Sequence, residues 1–133
     1  MELKRILVVE DNPANRMVFA DLLGAAGYAV RTVEMAEDAL TVAREATPDL
    51  ILMDIQLPGM DGLTATRILR EDKLTRNVPI IALTSYAMPG DRERSLIAGC
   101  NGYITKPIRV EAFRQEVAAI LEKSGRKTAH TPA

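Results

Sequence analysis

The sequence is poor in several features that mark large classes of protein. Only one of its 133 residues is a cysteine, Cys100, so an internal disulfide is excluded and a reducing compartment is indicated. No apolar run approaches the length that a transmembrane helix needs. The net charge is −1 with histidine neutral, which argues against broad electrostatic binding to nucleic acid or to anionic membrane. We therefore expect a cytoplasmic protein that does not insert into a membrane and does not bind nucleic acid.

Signals for nucleotide binding and for histidine chemistry are also missing. Neither G-x-x-x-x-G-K-S/T nor G-x-G-x-x-G follows the first predicted strand, so a bound nucleotide is not expected. The one histidine, His130, lies in the polar segment 124–133, which predicts a disordered tail rather than a catalytic base or a metal ligand. Without a linker, an internal repeat or a low-complexity tract, residues 1–123 are predicted to form one domain.

What is present is an alternation of short apolar runs with helical patterns. The predicted strands are Arg5–Glu10, Ala29–Val33, Asp49–Asp54, Val78–Thr84 and Gly102–Thr105. The predicted helices are Pro13–Ala26, Ala36–Ala46, Gly62–Asp72, Pro89–Ala98 and Arg109–Lys123. Gly27 and Gly99 follow the first and fourth helices as expected C-terminal caps. Five repeats of strand then helix predict a parallel sheet covered by helices on both faces, which is a doubly wound α/β domain.

Asp54 is the most informative residue of this pattern. It ends the apolar run Leu50–Met53, which is typical of a central strand buried on both faces. Pro58-Gly59 and Asp61-Gly62 then mark a tight loop before the next helix. An acid at the carboxyl end of such a strand lies at the edge of the sheet where open α/β proteins bind ligands. We therefore interpret Asp54 as a functional acid.

Other polar residues follow the neighbouring predicted strands. Glu10 and Asp11 come after the first strand, Thr84 ends the fourth and Lys106 follows the fifth. Each has an ordinary structural explanation by itself, since an acid can cap a helix and a strand-end lysine is commonly a solvated charge. Together they predict three carboxylates, a hydroxyl and an ammonium at one edge of the sheet. Clustered carboxylates repel one another without a cation, and oxygen ligands suit Mg²⁺.

This set of groups favours phosphoryl chemistry. Lys106 supplies a positive charge and Thr84 a hydroxyl, each suited to the oxygens of a phosphoryl group. Asp54 is then the carboxylate that attacks phosphorus and carries an acyl phosphate. Because no nucleotide cradle is present, the phosphoryl donor is expected to be another protein or a small phosphate.

The sequence resembles the receiver domains of bacterial two-component signalling from Ile6 to about Leu121. The matching motifs are Val8-Val9-Glu10-Asp11-Asn12, Leu52-Met53-Asp54-Ile55-Gln56-Leu57-Pro58, Ala82-Leu83-Thr84 and Lys106-Pro107. Two segments, Ile51–Pro58 and Tyr103–Ile108, are similar in particular to single-domain members of that family. The resemblance implies a flavodoxin-like fold with strand order 2-1-3-4-5.

The resemblance also implies a function for each matching residue. Asp54 would accept a phosphoryl group from a histidine of a sensor kinase or phosphotransfer protein. The Mg²⁺ ligands would come from Glu10, Asp11, Asp54 and the backbone carbonyl of Gln56. Lys106 would contact the phosphoryl group.

Thr84 and Tyr103 would form the switch pair, although Tyr103 is also explained by plain core packing. The switch would alter a face built from the fourth helix, the fifth strand and the fifth helix, to which a downstream regulator protein would bind. Lys106-Pro107 would be a cis peptide.

Three alternatives remain beside a single-domain response regulator. The chain could act within a hybrid phosphorelay as an intermediate phosphate carrier, or it could work without phosphorylation. It could also be an enzyme, a Mg²⁺-dependent phosphatase with Asp54 as its nucleophile. Such enzymes need an acid two residues after the nucleophile, and that position is Gln56 here. The sequence therefore favours a phosphoacceptor that is not an enzyme.

Overall fold

The computed structural model describes the backbone of residues 3–129 and the side chains of residues 3–124. Its strands are β1 (Arg5–Val9), β2 (Ala29–Val33), β3 (Leu50–Asp54), β4 (Ile80–Thr84) and β5 (Gly102–Thr105). Its helices are α1 (Pro13–Ala25), α2 (Ala36–Glu45), α3 (Gly62–Glu71), α4 (Asp91–Ala98) and α5 (Val110–Ala129). The predicted alternation of five strands and five helices is confirmed.

All four pairs of neighbouring strands run parallel, in the order β2-β1-β3-β4-β5. β1 and β3 pair with Val9 opposite Met53, and β3 pairs with β4 so that Asp54 lies opposite Leu83. The carboxyl ends of these strands therefore meet at one edge, as the doubly wound fold requires.

Each face of the sheet supports its own core, because successive side chains of a strand point in opposite directions. One face packs Leu7, Ile51 and Met53 with residues of α2 and α3. The other packs Val8, Leu52 and Leu83 with α1 and α5, where the rings of Phe19 and Phe113 lie 5.6 Å apart. β3 is buried along its whole length, Asp54 included, which is the position predicted for a central strand.

The ends of several elements differ from the sequence prediction for local reasons. α4 begins at Asp91 rather than Pro89 because Gly90 adopts a left-handed conformation with φ of 85°. β4 begins at Ile80, since Pro79 has no N–H for the ladder. The third of these differences concerns α5, which continues to Ala129, beyond the predicted end near Lys123. Gly125 therefore does not end the helix, and a glycine inside a helix costs only about 1 kcal/mol.

The expected caps are present after the first and fourth helices. Gly27 has φ of 98° and Gly99 has φ of 116°, both in the region that favours glycine. Within residues 3–129, none of the helices is both long and apolar enough to span a membrane. His130, which we predicted to lie in a tail, is outside the described residues.

Candidate functional site

Four of the five residues predicted from the strand ends, Glu10, Asp11, Asp54 and Lys106, meet in one open cleft. The cleft has a volume of about 380 Å³ and lies at the carboxyl edge of the sheet. Its walls are formed by Glu10, Asp11, Asn12, Asn15, Asp54, Gln56, Ser85, Tyr86 and Lys106. We call it the acidic cleft.

Three carboxylates converge there. Glu10, Asp11 and Asp54 each offer an oxygen, and these oxygens lie within 4.8 Å of one another. Glu10 is 1% exposed and Asp54 is 3% exposed, whereas Asp11 is open to solvent. Within residues 3–124, the Asp11 carboxylate accepts no hydrogen bond, so its oxygens are the ones most available to a cation. An all-oxygen donor set of this kind fits Mg²⁺.

Lys106 joins the two buried carboxylates. Its ammonium donates to Glu10 Oε1 at 2.7 Å and to Asp54 Oδ2 at 3.0 Å. Burial of the ammonium alone would lower its pKa, but the hydrogen bonds to Glu10 and Asp54 outweigh burial and raise the pKa of Lys106. Lys106 is therefore a permanent cation between the two acids. Its peptide bond to Pro107 is cis, as the resemblance implies.

Backbone amides hold the same two carboxylates. Asp54 Oδ1 accepts the N–H of Gln56 at 2.8 Å, and Glu10 Oε2 accepts the N–H of Asn12 at 3.1 Å. Burial raises the pKa of Glu10, and the hydrogen bonds from Lys106 and Asn12 reduce that rise only in part. Each acid is thus fixed in position by one cationic and one neutral donor.

The start of α3 lies directly against Asp54. Asp61 caps the helix by accepting the N–H of Thr64 at 2.9 Å. A Cβ added to Gly62 would lie 2.3 Å from the carbonyl oxygen of Asp54 and 2.8 Å from Ile55 Cα. Only glycine permits this approach of helix to strand end, so the Asp61-Gly62 pair positions the backbone of the site as well as turning the loop.

Arg16 is a residue that sequence reasoning missed. Its guanidinium donates to the carbonyls of Glu10 and Asp11, both at 3.0 Å, and to Glu34 at 3.3 Å. It thereby ties the loop after β1, which carries both acids, to α1 and to the end of β2. The only available signal is its position one helical turn after the cap residue Asn12.

Thr84 and Tyr103 are not among the residues that line the cleft, and among the described residues neither side chain is hydrogen-bonded to Asp54. The Thr84 hydroxyl donates to the carbonyl of Tyr86 at 3.1 Å and accepts the N–H of Tyr86 at 3.2 Å. Tyr103 packs against the α2/α3 core. Among the described residues its buried hydroxyl has no hydrogen-bond partner, and its pKa is raised, first by burial and then by Asp91. The metal contact predicted for the Gln56 carbonyl stays a prediction.

The sheet order, the cleft and its lysine together define the receiver class of doubly wound domains. The sequence model of the response regulator receiver domain matches residues 6–118. The chain belongs to this family. The function predicted from the sequence, that of a response regulator that accepts a phosphoryl group, is consistent with this membership.

Among curated relatives, the polar-differentiation response regulator DivK of Brucella ovis is 46% identical over 118 residues, which is 89% of this chain and 96% of that protein. The DivK of Brucella anthropi is also 46% identical over 118 residues, with the same coverage of both chains. The resemblance to single-domain response regulators that we inferred from the sequence is thereby confirmed, and DivK is the relative that carries it.

Solved structures agree. The receiver domain of sensor histidine kinase PA1611 from Pseudomonas aeruginosa PAO1 is 43% identical, with a TM-score of 0.79 and coverage of 92% of this chain and 97% of that one. That structure holds a magnesium ion coordinated in its active-site cleft. The CheY-like receiver domain from Methanospirillum hungatei JF-1 is 28% identical, with a TM-score of 0.89 and coverage of 95% and 99%. The flavodoxin-like receiver fold implied by the sequence is confirmed.

Proposed function

We propose that Asp54 accepts a phosphoryl group from a phosphohistidine of a sensor kinase or phosphotransfer protein. The other ring nitrogen of the phosphohistidine carries a proton. A carboxylate oxygen of Asp54 attacks phosphorus, the P–N bond to the histidine breaks, and the nitrogen keeps the electron pair, so the imidazole leaves without charge. The product is an acyl phosphate on Asp54 and a neutral histidine on the donor.

The position of Asp54 between two kinds of group carries this assignment. On one side lie the acids of β1, and on the other lie Thr84 of β4 and the ammonium of Lys106. Asp54 is the one carboxylate of the three that ends the strand between β1 and β4, and it shares the Lys106 ammonium with Glu10. Glu10 and Asp11 follow β1 and therefore lie one strand further from Thr84.

Glu10, Asp11, Asp54 and the carbonyl of Gln56 would hold Mg²⁺, as the all-oxygen cluster and the magnesium-bearing relative suggest. Bound Mg²⁺ would neutralise the charge that the carboxylates and the phosphoryl oxygens share. Lys106 would pass from its Asp54 oxygen to a phosphoryl oxygen, since its ammonium already lies 3.0 Å from that carboxylate.

Thr84 and Tyr103 would transmit the change to a protein-binding face. The Thr84 hydroxyl would leave the Tyr86 carbonyl for the phosphoryl group, and the buried hydroxyl of Tyr103 lacks a partner among described residues that would hold it in place. The face is α4, β5 and α5, on which Ile97 is 83% exposed and Leu96 is also exposed. A downstream regulator protein would bind there, and the protein would act in the cytoplasm.

A phosphatase is disfavoured by the environment of Gln56. Its amide nitrogen donates to the Tyr86 carbonyl and its amide oxygen accepts the Ser85 N–H, and a carboxamide, unlike a carboxyl group, is not acidic enough to protonate a leaving group. We therefore favour a phosphoacceptor over an enzyme. Service as an intermediate carrier in a phosphorelay uses the same Asp54 chemistry.

The test is phosphorylation with phosphoramidate and Mg²⁺, followed by intact-mass spectrometry, since a small donor needs no cognate kinase. The wild-type protein should gain one phosphoryl group and Asp54→Asn none. Asp38→Asn, a change of an exposed aspartate on α2, should behave as wild type. Undiminished modification of Asp54→Asn would refute the assignment. Transfer from purified histidine kinase domains would then identify the donor.

A further inference from the structure

The side chain of Gln56 crosses from the loop after β3 to the loop after β4. Its Oε1 accepts the N–H of Ser85 at 2.9 Å, and its Nε2 donates to the carbonyl of Tyr86 at 3.2 Å. The amide orientation follows from chemistry, because a backbone N–H can only donate and a carbonyl can only accept. Gln56 thus makes a paired contact with the main chain 29 and 30 residues further along. We call this contact the Gln56 tether.

The residue that forms the tether is itself hydrogen-bonded within the acidic cleft. The N–H of Gln56 donates to Asp54 Oδ1 at 2.8 Å, so the residue that grips the second loop is itself held by the proposed phosphoacceptor. Ser85 and Tyr86 are both exposed, and packing therefore gives their backbone little support. The position of this short segment depends on its hydrogen bonds.

The tether meets the hydroxyl of Thr84 at a shared atom. The carbonyl of Tyr86 accepts from Gln56 Nε2 and also from Thr84 Oγ1 at 3.1 Å. Thr84 Oγ1 in turn accepts the N–H of Tyr86 at 3.2 Å. The three residues form one connected network, in which the segment held by Gln56 is the segment that occupies the Thr84 hydroxyl.

We propose that Gln56 is a positioning residue whose side-chain amide holds the Ser85–Tyr86 segment in the unphosphorylated arrangement. It thereby opposes the movement of Thr84 toward a phosphoryl group. The inference rests on the proposed function, since it assumes that a phosphoryl group on Asp54 attracts the Thr84 hydroxyl. Removal of the tether destabilises the resting arrangement relative to the phosphorylated arrangement, so the phosphorylated arrangement forms more readily.

Gln56→Met tests the tether, because methionine has a similar length and no amide. Gln115→Met is the matched control, since Gln115 is an exposed glutamine on α5 that does not line the acidic cleft. In amide hydrogen exchange followed by NMR without any phosphoryl donor, the Ser85 amide should exchange about three- to tenfold faster in Gln56→Met. Unchanged exchange at Ser85 would overturn the tether.

The second measurement is the affinity for beryllofluoride, a mimic of the aspartyl phosphate, at saturating Mg²⁺. Gln56→Met should bind it about three- to tenfold more tightly than wild type, because two hydrogen bonds of the resting segment no longer oppose the change. Mere damage to the site would weaken binding, so tighter binding separates positioning from a general structural effect. Equal or weaker binding by Gln56→Met would overturn the proposal.

The two hypotheses fail in different ways. If the wild-type protein bound no beryllofluoride and Asp54→Asn were modified like wild type, the proposed function itself would be wrong. If wild type bound it and Gln56→Met bound no more tightly, only the inference about Gln56 would be wrong.

Discussion

Replacing Lys106 with methionine should strongly destabilise the metal-free protein. Among the described residues, its ammonium is the only cation that pairs with the carboxylates of Glu10 and Asp54, whose side chains are 1% and 4% exposed. Removing one partner of a buried ion pair costs about 3–5 kcal/mol. We expect about 3 kcal/mol, the lower limit, because both carboxylates keep a backbone donor and the cleft is open to water.

The expected loss can be measured by urea and thermal unfolding at pH 7 in EDTA. An unfolding entropy of about 2.1 cal/mol/K per residue converts 3 kcal/mol to a fall of about 10 °C in Tm for 133 residues. Lys73→Met is the control, since Lys73 is exposed, and it should change stability by less than about 0.5 kcal/mol. Mg²⁺ should reduce the difference in unfolding free energy between Lys106→Met and wild type, because a cation then again lies between the carboxylates.

The pH dependence follows from the sign of the Lys106 shift. Because its pKa is raised in the folded state, the stabilisation by Lys106 is fully present below the ordinary value of 10.5 and is lost only as pH rises through the folded pKa. The difference in unfolding free energy between Lys106→Met and wild type should therefore stay the same from pH 7 to pH 9. A loss of less than 1 kcal/mol in metal-free Lys106→Met would refute this account of the cleft.

The structure also defines the outcomes of experiments at two glycines, at Arg70 and at Cys100. Gly62→Ala should destabilise the protein by about 3 kcal/mol in urea unfolding, since its Cβ would overlap the Asp54 carbonyl. Gly24→Ala in α1 is its control and should stabilise the protein by about 0.5 kcal/mol, because the described atoms leave open space there. Arg70→Met should cost about 2–3 kcal/mol, because its guanidinium donates to the carbonyls of Val78 and Gly99 at 2.6 and 2.7 Å; a neutral result would contradict that network. Burial raises the pKa of Cys100, so iodoacetamide at pH 8 should label this thiol only as fast as the protein unfolds, and prompt labelling of the native protein would contradict this. For the same reason, the free energy of unfolding should fall as pH rises through 9.0, where the thiol of the unfolded chain ionises.

Most of the fold could be predicted from the sequence because its signals are local. The run Leu50–Met53 identifies a central strand by its apolarity alone, and the structure buries all of β3. Element ends were less predictable where one residue decides them, as Gly90 does for α4. The extension of α5 past Gly125 was not predicted because a glycine commonly ends a helix, whereas here the helix-forming residues around Gly125 outweigh its cost.

The sequence by itself determined which acids stand at the strand ends and therefore which edge of the sheet is functional. Tertiary structure decided how those groups are connected. Lys106 contacts Glu10, which lies 96 residues earlier in the chain. The side-chain amide of Gln56 hydrogen-bonds to the backbone of Ser85 and Tyr86. Such contacts depend on loop paths and rotamers that long-range packing sets, and no periodic pattern encodes them. The sequence therefore indicates Asp54 as the acceptor, while only the folded molecule reveals the hydrogen bonds that restrain its switch.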